Sequence, residues 1–208
     1  MILRPDLVDY AAAHSTPPRE ELVALAAATR ELPGAGMITG PVVGRLLETL
    51  VWLARPALAV EVGTFTGFGA LSIAAALPGG GRLITCEVDP DHAAFARERF
   101  AASPLCDRIE LVEGPALPVL EALSEPVGFA WLDGDKDRNV DYYEALVPRL
   151  AETGLIACDN TLRRGDVLDP ADEMGAAVAA FNDHVAADAR TVQVLLPLSD
   201  GVTLIRPA

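Results

Sequence analysis

Lysine is almost absent from this chain of 208 residues: Lys136 stands alone, and the other 15 cationic side chains are arginines. Positive charge is scarce altogether, with 16 basic against 30 acidic residues and a formal charge of -14. That balance excludes a phosphate backbone as the main partner, because nonspecific nucleic-acid affinity comes from Lys and Arg neutralising phosphates. Cysteine is nearly absent too. Cys86, Cys106 and Cys158 are far apart, form no CxxC pair, and two fall in expected strands, which fits buried thiols of a reducing compartment better than disulfides or a zinc site. His14, His92 and His184 have no second His or Cys at helical spacing; only His184 has a carboxylate there, Asp188, which reads as a solvated pair. No apolar run approaches the ~18 residues that cross a bilayer, and Met1-Ile2-Leu3-Arg4-Pro5-Asp6 lacks the apolar stretch of a signal peptide. The expectation is a cytoplasmic protein with neither a membrane nor a nucleic-acid partner.

The hydrophobic fraction of 51% and charged fraction of 22% are those of a globular chain, and the length suits one well-cored domain. Residues 1–55 read as an N-terminal helical segment, with apolar positions at helical spacing over 6–31 and a break at Ser15-Thr16-Pro17-Pro18. This segment would act as a lid or in dimerisation. After a loop at 32–37, Pro41 opens a further helix. Residues 56–208 alternate strands, Gly-rich loops and helices, the sequence form of a parallel sheet wrapped by helices. Strands are expected at 57–62, 82–87, 109–112, 127–132 and 154–158. Helices are expected near 68–77, 91–102, 116–123, 139–151 and 171–186. Strands at 191–196 and 202–206, joined by Pro197-Leu198-Ser199-Asp200-Gly201, form an antiparallel hairpin. The expected fold is therefore α/β: a Rossmann-like class I methyltransferase sheet of seven mostly parallel strands, with helices on both faces.

Such sheets bind ligands just outside the carboxyl ends of their strands. The first strand runs through Glu61 and Gly63 into Thr64-Phe65-Thr66 and Gly67-Phe68-Gly69, an ExGxxxG loop leading into a helix. Its glycines allow close backbone approach, and the helix start offers free N–H groups. Glu87 ends the next strand, placed to accept hydrogen bonds from both hydroxyls of a ribose. Glu61 puts negative charge where a dinucleotide's pyrophosphate would lie. S-adenosylmethionine carries an amino group and a sulfonium and no phosphate, so it suits this loop better than a nicotinamide cofactor. Gly114-Pro115-Ala116 is placed to line the adenine. Farther on, Asp133 ends the fourth strand and Asp159-Asn160 the fifth. Two carboxylates and an amide oxygen make a hard, incomplete shell suited to Mg²⁺, with Ca²⁺ or Mn²⁺ as alternatives; the plainer alternative is that both aspartates only cap turns.

Taken together, Met37-Ile38-Thr39-Gly40-Pro41-Val42-Val43-Gly44, Glu61 to Phe68, Glu87-Val88-Asp89, Gly114-Pro115-Ala116, Leu132-Asp133-Gly134-Asp135-Lys136, Asp159-Asn160, Phe181-Asn182 and Leu195-Leu196-Pro197 with Asp200-Gly201 follow one another as in a known family. The chain resembles the divalent-cation-dependent O-methyltransferases that include catechol and caffeoyl-CoA O-methyltransferases. The resemblance implies that Asp133, Asp159 and Asn160 hold the metal and that Lys136 is the catalytic lysine. It also implies that Met37, Thr39, Glu61, Gly63, Phe68, Glu87, Ala116 and Asp135 contact the cofactor, and that the protein dimerises with copies of itself. Three positions depart from the family pattern: Gly69 stands for a serine that would bind the cofactor's carboxylate, Phe68 for a tyrosine, and Arg45 for a glutamine.

On this reading a small phenolic acceptor with two adjacent oxygens is chelated and Lys136 handles the phenolic proton. Nearby carboxylates raise a lysine's pKa while a metal and a sulfonium lower it, so Lys136 either removes the proton or stays cationic and stabilises the phenolate. Arg163-Arg164, just after Asp159-Asn160, lie where they would meet an acidic or CoA-bearing acceptor, or else remain solvated. Two other classes stay open: an NAD(P)-dependent oxidoreductase on a similar sheet, disfavoured by ExGxxxG and the hairpin, and a cofactor-binding protein without catalysis.

Overall fold

The computed structural model describes residues 4–208. Its centre is a sheet of seven strands: β1 Leu58–Val62, β2 Arg82–Glu87, β3 Ile109–Glu113, β4 Val127–Leu132, β5 Leu150–Asp159, β6 Thr191–Leu196 and β7 Val202–Pro207. The spatial order is β3-β2-β1-β4-β5-β7-β6; β1 to β5 run parallel, and β7 pairs antiparallel with both β5 and β6. The chain therefore reverses direction across the sheet between β1 and β4, and the crevice at their carboxyl ends is the natural ligand site.

Among the described residues eight α-helices surround the sheet: α1 Pro5–Ala13, α2 Glu20–Thr29, α3 Pro41–Ala54, α4 Phe68–Ala76, α5 Pro90–Ala102, α6 Ala116–Ala122, α7 Asn139–Leu146 and α8 Glu173–Ala187. Strand residues point alternately to opposite faces, and both faces are buried here. Ala59, Phe129, Trp131 and Ala157 face α2 to α5, with Leu22, Leu47, Val51, Ile73 and Phe100 filling that layer. Leu58, Val60, Val62, Ala130 and Leu132 face α6 to α8, with Leu120, Tyr143, Leu146 and Phe181 filling the other. That explains why β1 and β4 read as continuous apolar runs rather than alternating ones.

Several expectations need adjustment. The predicted helix ending at 151 stops at Leu146, where Pro148 ends the regular ladder in a 3₁₀ turn over Val147–Arg149. Strand β5 accordingly begins at Leu150 instead of 154, pairing Leu150 with Val127 across a register shift. The N-terminal segment is less a detachable lid than part of the core: Leu22 and Leu25 are buried, and the Thr29 hydroxyl donates to Thr66 Oγ1 at 3.0 Å. Cys86 and Cys158 are buried but Cys106 is exposed, in a 3₁₀ turn. His184 pairs with Glu144 at 2.7 Å, while Asp188 engages Arg190 and Tyr143. One helical stretch, 35–54, is apolar and long enough to meet the length and composition of a membrane span, contrary to the sequence expectation. Its Val43, Leu47 and Val51 are packed into the core, and it carries an Arg45–Glu48 ion pair.

Candidate active site

The carboxyl ends of the parallel strands enclose a cavity of about 640 Å³, the size range of small-molecule sites. It is lined by twelve of the residues singled out from sequence: Met37, Thr39, Gly63, Thr64, Phe68, Glu87, Ala116, Asp133, Asp135, Lys136, Asp159 and Asn160. Three expected cofactor residues do not line it. Gly67 has φ +95° and a Cβ there would meet the Phe100 ring at 2.6 Å, so it serves the turn and the packing of α5. Gly69 lies behind the wall against Glu61, and Glu61 itself is buried at the base.

The cofactor side is held by backbone bonds that prolong the sheet past its strands. Gly63 N–H and Thr64 N–H both donate to Cys86 C=O, at 3.0 and 3.2 Å, and Asp133 N–H donates to Val62 C=O at 2.9 Å. Gly63 has φ +91°, and a Cβ on it would lie 2.6 Å from Asp133 C=O. Glycine is required there for both reasons. Glu87 accepts from Phe65 N–H at 2.7 Å and from Asp89 N–H at 2.9 Å, so its carboxylate is fixed while oxygen lone pairs remain for a ligand. Phe65, held at φ +49° with its ring edge-to-face with His92, lines the same wall; sequence reading passed over both.

Glu61 is 1% exposed. Thr85 hydroxyl donates to its Oε2, whereas Oε1 has no hydrogen-bond partner among the described residues. Burial first, then the charges of Asp133 and Glu87, push its carboxyl well above the usual range, against the Thr85 hydrogen bond. An unpartnered buried oxygen of this kind is costly. The Gly69 departure has a structural counterpart here: a Cβ at 69 would overlap Glu61 Oε1. The space a serine would occupy is where this carboxyl lies.

On the other side, Leu132 and Cys158 are partners in register on β4 and β5, so the next residues, Asp133 and Asp159, emerge side by side. Lys136 Nζ donates to Asp133 Oδ1 at 2.9 Å, and Asp159 Oδ1 accepts from Asn160 N–H at 2.7 Å. Burial, then the neighbouring charge of Asp133, raises the Asp159 carboxyl above its ordinary range, Lys136 pulling the other way. At Lys136, burial is the largest single influence and lowers the ammonium. It is outweighed by Asp133, Cys158 and Asp159, so the net direction is upward. Among the described residues no three His, Cys, Asp or Glu gather as a metal cluster; the donor set is two carboxylates and the amide of Asn160. Hard oxygen donors with closely placed like charges are what a divalent cation relieves, and the set fits one. Tyr142, Ser199 and Asp200 also line the cavity but were given no role in the site from sequence, because their arrival depends on how α7 and the β6–β7 hairpin dock.

Comparison with known proteins follows the same lines. Residues 12–208 match the family described as O-methyltransferase. Caffeoyl-CoA O-methyltransferase 2 of Populus trichocarpa is 33% identical, over 96% of this chain and 87% of that protein. Caffeoyl-CoA O-methyltransferase 3 of Nicotiana tabacum is likewise 33% identical, over 96% and 89%. Among solved structures, the SAH-bound methyltransferase of Podospora anserina superposes with a TM-score of 0.90 at 25% identity, covering 100% of this chain and 98% of that one. The O-methyltransferase of Bacillus cereus in complex with SAH gives 0.89 at 25%, covering 98% and 97%. With the strand order, the cavity at the sheet's switch point and a sequence match along nearly its whole length, the chain belongs to the O-methyltransferase family and is an S-adenosylmethionine-dependent enzyme.

Proposed function

We propose that this enzyme is divalent-metal-dependent and methylates one hydroxyl of a small ortho-diphenol. The observation that carries the reading is the register-matched emergence of Asp133 and Asp159 beside Asn160, with Lys136 hydrogen-bonded to Asp133. Asp133, Asp159 and Asn160 would hold the cation, Mg²⁺ by donor hardness with Mn²⁺ or Ca²⁺ as alternatives. When bound, such a cation supplies Lewis acidity that lowers the pKa of an adjacent hydroxyl.

The chain's own residues do the rest. Glu61, buried at the base of the cavity, draws the amino group of S-adenosylmethionine by charge, and Glu87, fixed by two backbone N–H groups, takes the ribose hydroxyls. Met37, Thr39, Gly63, Thr64, Phe68, Ala116 and Asp135 complete the cofactor wall. Lys136 sits where the phenolic oxygen gives up its proton, as acceptor of that proton or as the cation that steadies the phenolate. The relatives named caffeoyl-CoA O-methyltransferases support a phenolic acceptor of this class.

Turnover of caffeate by the purified protein is expected to vanish with EDTA and return with Mg²⁺; full turnover in EDTA overturns the metal reading. Lys136→Ala should lower kcat by about 10²- to 10⁴-fold, the range of a positioned proton-transfer group. Activity retained in Lys136→Arg identifies the electrostatic role, and loss in both variants the base. We also propose a cytoplasmic homodimer, with the exposed Leu7 and Tyr10 of α1 and Trp52 and Leu53 of α3 as its apolar surface. Light scattering on wild type and Trp52→Arg tests it, and a monomeric wild type refutes it.

A further inference from the structure

The 15 arginines of this chain have assigned work almost without exception. Twelve bind a carboxylate, a main-chain carbonyl or an aromatic face. Arg30 and Arg55 occupy the C-caps of α2 and α3, where a cation meets the negative end of the helix. Arg164 remains. Among the described residues its guanidinium has neither an ion-pair nor a hydrogen-bond partner, although six carboxylate side chains line the same cavity that it lines.

Its backbone explains this. Arg164 N–H donates to Asp200 Oδ1 at 2.6 Å, so that acid holds the main chain and not the side chain. The loop is further tied to the hairpin by Thr161 N–H to Gly201 C=O at 3.1 Å and Leu162 N–H to Asp200 C=O at 2.9 Å. Arg164 is thereby kept at φ +54°, ψ +18°, a left-handed conformation unusual for arginine. Its neighbour Arg163 is ion-paired with Asp172 at 2.7 Å, the residue that caps the start of α8, which separates the two halves of the Arg163-Arg164 pair into a structural residue and an unengaged one.

Resting on the catechol reading above, we infer that Arg164 is the specificity residue of the acceptor subsite, binding a carboxylate borne by the acceptor away from its two hydroxyls. A guanidinium offers two parallel donors that match one carboxylate. The other lysine or arginine lining the cavity is Lys136, which is engaged by Asp133. One unengaged fork at the cavity, in a chain of charge -14, suits a singly charged aromatic acid and not a polyphosphate tail.

The test compares kcat/KM for caffeate, its neutral methyl ester and caffeoyl-CoA in wild type, Arg164→Ala and Arg164→Glu, with Mg²⁺ present. Arg164 is exposed, so both variants should melt with wild type, and melting curves verify that. The caffeate-to-ester ratio of kcat/KM should fall about tenfold in Arg164→Ala, the scale of one charge-assisted pair, and further in Arg164→Glu. An unchanged ratio in both variants overturns the inference. A loss confined to caffeoyl-CoA overturns the carboxylate assignment in favour of a phosphate. If wild type turns over the ester but the ratio never moves, only Arg164 is misassigned; if wild type turns over none of the three, the catechol reading itself fails.

Discussion

The two rims of the cavity are shaped by opposite means. On the cofactor rim, Gly63 and Gly67 supply positive φ angles, with Phe65 at φ +49° as the exception, and the missing side chains of the glycines let the backbone of β4 and the Phe100 ring come close. On the acceptor rim the same left-handed conformations are imposed on Asn160, Arg163, Arg164 and Ser199, residues with side chains. Each costs about 1–2 kcal/mol relative to the ordinary helical region for a typical side chain, less for asparagine. The strain is offset by contacts with a distant element, the β6–β7 hairpin, through Thr161, Leu162 and Arg164. A rim built mainly on glycine is fixed largely by local sequence; a rim built of strained side chains depends on its neighbours and can vary in chemistry without disturbing the cofactor.

That contrast is open to attack, most forcefully at Gly63. Adding a methyl group there sets a side chain against the Asp133 carbonyl in a backbone conformation that alanine resists, so Gly63→Ala should cost about 3 kcal/mol. Urea denaturation measures it, and a cost under about 1 kcal/mol would remove the steric requirement from the cofactor rim.

Glu61 gives the next effect. Burial raises its carboxyl in the folded protein, so the folded state holds this proton more tightly than the unfolded state. The ligand-free protein should therefore lose stability as pH rises from the ordinary carboxylate range through the folded value of Glu61. S-adenosylhomocysteine carries the same amino group, and its binding should drive the proton off. Calorimetry in buffers of different ionisation heat should show proton release, with affinity falling by up to about tenfold per pH unit below the raised value. Binding without proton exchange would show that Glu61 does not change its charge when the cofactor arrives.

The smallest effect has the opposite sign to the first. Ser199 is exposed with φ +54°, so Ser199→Gly should relieve strain and raise stability by about 0.5–1 kcal/mol after the added freedom of the unfolded chain is subtracted. A destabilised Ser199→Gly protein would mean that the serine is not strained, and the contrast between the rims would narrow.

Much of the cofactor rim was legible in sequence because its determinants are consecutive: a buried run, Gly63, Gly67, and Glu87 at the next strand end. Asp133 and Asp159 were legible as strand-end residues, and their adjacency followed once β4 and β5 were neighbours in the parallel sheet. The start of β5 was missed because Ala151-Glu152-Thr153 looks like a loop and pairs only by virtue of the register shift at Val127. Pro148 was the available signal that α7 ends early. Phe65 gave no sign of its role, since its N–H hydrogen bond to Glu87 joins the loop after β1 to the end of β2.

By itself the sequence determined the order of elements, the sheet they form and the position of the glycine loop, since hydrophobic period and glycine placement act over a few residues. It also placed Asp133-Gly134-Asp135-Lys136 at a strand end. Only the tertiary structure decided that Glu61 is sealed with one oxygen unpartnered, that Gly69 yields its space to that carboxyl, and that Arg163 is engaged while Arg164 is left unengaged at the cavity. Those outcomes depend on residues such as Leu162 and Asp200 or Glu61 and Thr85, which meet only after the sheet has closed and buried them.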